Sequence, residues 1–154
     1  MDFHLAQINV GRLVAPVDDP KVAEFMAGLE PINALADRAP GFVWRLQSAS
    51  GNATDIAYND DPFLVVNMSV WKSIESLRDF TYRSDHIGFF RDRAKWFVKM
   101  DQPSYCLWWV PAGRRPTVAE GRERMERYQL SGATPFSFWF SKQFPQPADE
   151  GVCA

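Results

Sequence analysis

Two stretches of this chain, Ala6–Val10 and Phe63–Trp71, carry no charged residue on either face of the strands that their alternation predicts. An antiparallel sheet with one wet face alternates apolar with charged side chains, so strands without charges belong to a sheet covered on both sides. Two helices cover one side of a four-stranded sheet. The other side needs a second sheet, which a second copy of the chain would supply, or else the chain's own C-terminal helix and aromatic arm. The first solution predicts a homodimer and the second a self-covered monomer.

The elements around these strands follow from period and punctuation. Residues Phe3 to Val14 alternate as a strand, and Pro16 with Asp18-Asp19-Pro20 ends it and opens a helix. Val22, Phe25, Met26, Leu29, Ile32 and Leu35 keep helical spacing, with Pro31 inside the run predicting a kink or break. Pro40-Gly41 stops the helix, Phe42 to Gln47 is a second strand, and SASGN supplies turn chemistry. After Phe63–Trp71, Ile74 to Tyr82 reads as a short helix, and Ser84 caps a second one reaching Phe97 or Met100. Pro103 breaks that helix and Ser104 to Val110 is the fourth long strand. The order β-α-β-β-α-β predicts an α+β, ferredoxin-like domain over residues 1–113. Residues 114–154 add an amphipathic helix, Thr117 to Leu130, and an arm in which Phe136, Phe138 and Phe140 alternate. Such an arm packs on its own core or on a partner subunit.

Composition enters as exclusion. Seventeen Lys and Arg against nineteen Asp and Glu leave no basic footprint for nucleic acid. Cys106 sits in an apolar strand and Cys153 next to the end, so neither a disulfide framework nor a cysteine metal site is expected. No run approaches the roughly 18 apolar residues of a membrane span, and MDFHLAQINVGRL has no basic leader. The expectation is a soluble cytoplasmic protein. Aromatics are 14% of the chain, with 12 Phe and 6 Trp, which is more than a core of this size requires and points to a ligand pocket or interface.

One face of the first and third strands carries Gln7, Asn9, Asn67, Ser69 and Trp71. Neutral polar groups in a covered sheet must find partners, so this cluster is either a satisfied polar network or a ligand site. His86 follows Ser84-Asp85 in the first turn of its predicted helix and shares a stripe with Phe89, Phe90, Arg93 and Phe97. A helix N-terminus keeps an imidazole neutral, fit for a general base, a hydrogen-bond partner or an axial haem ligand. A satisfied core histidine has the same pattern. Tyr82 could exchange a proton or fill an interface. Arg91 and Arg93 could hold a carboxylate or pair with neighbouring acids. Trp44, Trp96, Trp108 and Trp109 could line an aromatic wall or fill the core. No GxGxxG, P-loop, HExxH or serine-elbow motif occurs.

Val70-Trp71-Lys72-Ser73 followed by Ser84-Asp85-His86 resembles the monooxygenase-like families of the dimeric α/β-barrel superfamily, which include antibiotic-biosynthesis and haem-degrading monooxygenases. In the haem-degrading members, an asparagine on the first strand and a tryptophan closing the third join the histidine around the ligand. Asn9, Trp71 and His86 occupy those elements here. HLAQINVGRL, GFVWRLQ with GNATDI, VWKS with YRSDH, RDRAKWF and LWWVPAGRRPT resemble an uncharacterised bacterial domain-of-unknown-function family more closely, nearly end to end. The GNATDI, RAKWF and LWWVPAG segments have no counterpart in the characterised monooxygenases.

The resemblance implies a dimeric α/β barrel and a monooxygenase-like oxidoreductase acting on a small aromatic or phenolic molecule. His86, Trp71, Asn9 and Tyr82 are its candidate catalytic residues. Asn67, Trp44, Phe89, Phe90, Arg93 and Trp108 are its candidate substrate contacts. No cofactor and no metal are expected; haem bound through His86 is the alternative, and a non-catalytic dimeric ligand-binding domain a third.

Overall fold

The computed structural model describes residues 2–83 and 92–147. The predicted helix from Ser84, with His86, Phe89, Phe90 and Arg91, and the terminal residues including Cys153 lie outside them.

β1 (Phe3–Leu13) is the central strand of an antiparallel sheet. On one side it pairs with β3 (Leu64–Trp71), from Leu5↔Trp71 to Arg12↔Leu64. On the other it pairs with β5 (Tyr105–Pro111), from Phe3↔Pro111 to Asn9↔Tyr105. β2 (Phe42–Arg45) adds to the far edge of β3, and the two-residue β4 (Phe97–Val98) continues the β5 edge opposite Arg12 and Leu13. The order β2-β3-β1-β5, with helices in the β1–β2 and β3–β5 connections, is the expected ferredoxin-like arrangement.

α1 (Ala23–Arg38) is launched by a short turn, Pro20–Val22, in which the Asp19 carboxylate accepts from the Lys21 N–H. Pro31 does not break α1. The hydrogen bond it cannot donate would go to the carbonyl of Ala27, and both residues are exposed, so that carbonyl is open to solvent. Phe25, Met26 and Leu29 hold the helix on Leu13, Val65 and Trp96. α2 (Ile74–Arg83) begins where Ser73 Oγ accepts from the Ser76 N–H. The helix predicted to reach Phe97 does not: Asp92–Lys95 is a tight turn, and Phe97 pairs in β4. The Phe97 ring lies where a side chain on Gly11 would stand, 2.5 Å from the position of a Cβ there. A glycine in β1 thus makes room for an aromatic ring over the strand.

α3 (Val118–Ser131) is capped by Thr117 and ends at Gly132, whose φ of 72° needs a residue without a Cβ. It lies on the face formed by Ala6, Ile8, Val10, Val66, Met68, Cys106 and Trp108, with Met125 fully buried against them. Gly121 brings α3 down onto the strands: a Cβ there would sit 2.7 Å from Ile8 Cδ1. The 46–62 loop adds Ile56 and Tyr58 to the same layer, and Arg122 donates to the Tyr58 carbonyl at 2.6 Å. Of the two covers expected for the second face of the sheet, the chain's own α3 lies on it.

The arm turns back to the opposite face. Phe138 exchanges two backbone hydrogen bonds with Leu107, at 2.7 and 2.9 Å, and is fully buried with Leu5, Trp71, Ile74 and Leu77. The arm thus packs on its own core.

Candidate functional site

The face of the sheet under α1, α2 and the arm has two apolar clusters, one at each end. Leu5, Trp71, Leu107 and Phe138 form one; Leu13, Val65, Phe25 and Trp96 form the other. Between them lies the polar ladder expected from the strand alternation. Register sets Gln7 opposite Ser69 and Asn9 opposite Asn67. Directly paired side chains share a face and stand about 5 Å apart at Cβ, within reach of one another.

The ladder is one connected hydrogen-bond network. Gln7 Nε2 donates to Asn67 Oδ1 at 2.6 Å and to Ser69 Oγ at 2.8 Å. Asn9 Nδ2 donates to Gln7 Oε1 and to Asn67 Oδ1, each at 3.1 Å. Trp71 Nε1 donates to Ser69 Oγ at 2.8 Å. Its inner end, Gln7, Ser69 and Trp71, is buried, while Asn9 and Asn67 are exposed. The network uses both N–H groups of Gln7 and Asn9 and loads Asn67 Oδ1 twice. Asn67 Nδ2 and Asn9 Oδ1 hold no hydrogen bond among the described residues. A carboxamide has two donors and two acceptor sites, so the open end presents a donor and an acceptor side by side to solvent.

The structure brings Asn9, Asn67 and Trp71 together, with Ser69 and Gln7 between them. Trp71 is 1% exposed, its indole N–H is committed to Ser69, and its ring is packed by Phe42 and Phe80 at 5.4 and 5.2 Å. It therefore positions Ser69 and cannot itself reach a ligand with that N–H. Trp44 and Trp108, expected at the pocket, lie on the opposite face beneath α3. Trp108 is fully buried and its Nε1 donates to Glu120 Oε2 at 3.0 Å. The cause is strand parity: Trp44 and Trp108 pair with Val70 and Ala6, which point away from the ladder. Tyr82 lies in the last turn of α2, exposed, with its ring 5.9 Å from Phe140. Arg93 lies in the 92–95 turn, and His86, Phe89 and Phe90 lie outside the described residues. Thr54 and Asp55 sit in the 46–62 loop, where Asp55 accepts from Ser48 Oγ at 2.7 Å.

Tyr105 and Trp139 escaped the sequence reading. Tyr105 faces Asn9 across β1 and β5, and its ring lies 4.1 Å from that of Trp139 in the arm. Tyr105 was legible from the alternation of Tyr105, Leu107 and Trp109; Trp139 depends on the path of the arm.

The layer under α3 is chemically quiet. Burial pushes the Cys106 thiol up to about 12 and, with Glu126 nearby, the Tyr58 phenol to about 12. Neither is a nucleophile near neutral pH. Among the described residues no group of three His, Cys, Asp or Glu is placed to hold a metal ion. No described helix is long and apolar enough to cross a membrane. Two surface depressions, about 400 Å³ beside Ser73, Trp109 and Phe144 and about 310 Å³ beside Leu35 and Phe80, contain no ladder residue.

Fold and site together define a ferredoxin-like α+β domain with a carboxamide ladder between its sheet and helices. The chain belongs to the family described as "Domain of unknown function (DUF3291)", whose pattern matches residues 4–152. No curated protein matches it. Among solved structures it is similar to a protein of unknown function from Nitrosomonas europaea, at 14% identity and TM-score 0.49, over 75% of this chain and 96% of that one. A Pseudomonas aeruginosa protein aligns at 14% identity and TM-score 0.47, over 71% and 94%. A third, titled "Putative antibiotic biosynthesis monooxygenase from Nitrosomonas europaea", aligns at 20% identity and TM-score 0.44, over 75% and 93%.

Proposed function

We propose that the ladder is the floor of a binding site for a small aromatic molecule bearing a hydroxyl or carbonyl, and that the protein oxidises this molecule with O2. The observation that carries the reading is the uncommitted Asn67 amide beside the uncommitted Asn9 carbonyl oxygen. A network built only to satisfy itself would close its outer end, whereas this one is saturated inside and open outside.

His86, on the segment that follows α2, serves as the base. It takes the hydroxyl proton, and Asn67 Nδ2 donates to the resulting oxyanion. The anion gives its electrons to O2, forming a carbon–oxygen bond and a hydroperoxide that collapses to a second carbonyl. One oxygen atom enters the ring; the other leaves as water with the two hydrogens lost from the hydroxyl and the ring carbon. The substrate is its own reductant, so no cofactor is invoked. Gln7 and Asn9 hold the Asn67 carboxamide, Ser69 holds Gln7, and Trp71 fixes Ser69.

The test is oxygen uptake with a panel of phenols, comparing wild type with His86→Ala and Asn67→Ala. The expected result is turnover by wild type and a loss of kcat/KM of about tenfold or more in each variant. Uptake unchanged in His86→Ala with every phenol contradicts the reaction. Saturable binding of a phenol without oxygen uptake leaves a ligand-binding domain.

A further inference from the structure

Register extends the ladder by one strand. Asn9 faces Asn67 on one side and Tyr105 on the other, so Asn67, Asn9 and Tyr105 form a single row on one face of the sheet. The next rung is Ser69, Gln7 and Leu107. Neither rung contains a charged side chain. From Tyr105 the rings continue without a gap. Trp139 lies 4.1 Å from Tyr105 at an interplanar angle of 36°, Phe140 lies 4.6 Å from Trp139, and Tyr82 lies 5.9 Å from Phe140.

The arm does not need the Trp139 ring to stay in place. Phe138 is fully buried, its backbone is paired with Leu107, and the Phe144 carbonyl accepts from Trp109 Nε1 at 2.9 Å. Arg124 adds a bond to the Phe136 carbonyl at 2.7 Å, with its guanidinium 3.8 Å over the Phe136 ring. Yet Tyr105, Trp139 and Phe140 all remain partly exposed, and Tyr105 stands opposite the exposed Asn9. A neutral hydrogen-bonding edge beside partly exposed aromatic rings suits a flat, uncharged ring with one polar substituent.

We propose that Tyr105 and Trp139 form the stacking platform for the ring of the ligand, so that the C-terminal arm is part of the binding site and sets its preference for aromatic over saturated molecules. This rests on the reading of the ladder as the polar end of the site. Asn67 and Asn9 hold the substituent, and Tyr105 and Trp139 hold the ring.

The test is calorimetric titration of the full chain with 2-naphthol and with decahydro-2-naphthol, which keeps the hydroxyl and the size but has no π-face. Trp139→Ala and Tyr105→Leu are expected to weaken 2-naphthol about three- to tenfold and to leave the decahydro compound within about twofold. Trp139→Phe and Tyr105→Phe keep a ring and retain most of the affinity. Asn67→Ala weakens both compounds alike. If Trp139→Ala and Tyr105→Leu bind 2-naphthol as wild type does, or lose both compounds equally, the platform is overturned. If Asn67→Ala changes neither affinity while Trp139→Ala weakens 2-naphthol selectively, the platform stands and the ladder reading falls. Wild type binding neither compound overturns both.

Discussion

Gln7 and Ser69 face each other across β1 and β3, Nε2 to Oγ at 2.8 Å, each 6% exposed within a sheet that is otherwise apolar at that depth. Both Gln7 N–H groups and its carbonyl oxygen are engaged, so this residue is the hub on which the open end of the ladder rests.

Replacing that hub has a cost in stability. Gln7→Leu takes a donor from Asn67 and from Ser69, the latter in a place water reaches poorly, and is expected to lower folding stability by about 1–3 kcal/mol. Asn67→Ala at the exposed end is expected to cost less than about 1 kcal/mol. Urea denaturation of the two variants checks the order; equal losses would show that the ladder is uniformly buried.

The arm is a structural part of the domain. Phe138→Ala removes a fully buried ring from the cluster with Leu5, Trp71 and Leu107, at an expected 3–5 kcal/mol, taken as an order of magnitude. Limited proteolysis of this variant is expected to cut within residues 132–147 at protease levels that leave wild type intact. An uncut arm would show that Phe144 and Arg124 suffice to hold it.

How α3 reaches the sheet can be probed at Gly121. A Cβ there meets Ile8 Cδ1 at 2.7 Å and Met68 Sδ at 3.0 Å, and both residues are fully buried with little room to retreat. Gly121→Val is expected to destabilise by about 1–3 kcal/mol, although glycine is itself a poor helix former. A stabilised variant in thermal melts would mean that α3 rides higher on the sheet.

Alkaline sensitivity follows from the layer under α3. Cys106 and Tyr58 are both raised to about 12 in the fold, from 9.0 and 10.0. Below pH 9 both states keep these protons and stability does not depend on them. Above it the unfolded chain releases protons that the folded chain retains, so stability falls as pH rises toward 12, by at most about 1.4 kcal/mol per unit for each group. Denaturant midpoints between pH 8 and 11 check this; a flat profile contradicts it.

Much of this architecture was legible because β-strand parity is rigid. The alternation of Gln7 with Ile8 and of Asn67 with Met68 assigned the two faces of β1 and β3 before any pairing was known, and the ladder follows from it. The same rule, carried to Trp44 and Trp108, would have placed both behind the sheet. They were read as wall residues because aromatic content was weighed without counting position. Phe97 was misread as helical because its apolar neighbours fit a 3.6 period, whereas the space above Gly11 selects the extended backbone. Coverage of the second face by α3 was not decidable from residue patterns, since an amphipathic helix fits its own sheet and a partner's equally well. The decisive contact, Gly121 on Ile8 and Met68, is a tertiary one.

The most direct test of the ladder as a binding site uses the side-chain N–H signals on the two faces of the sheet. In a 15N-labelled sample titrated with 2-naphthol, the account predicts saturable shifts of the Asn67 and Asn9 carboxamide signals and a smaller one at the Trp71 indole. The Trp108 indole, bonded to Glu120 beneath α3, stays unmoved. Shifts at Trp108 with Asn67 and Asn9 unchanged would contradict it.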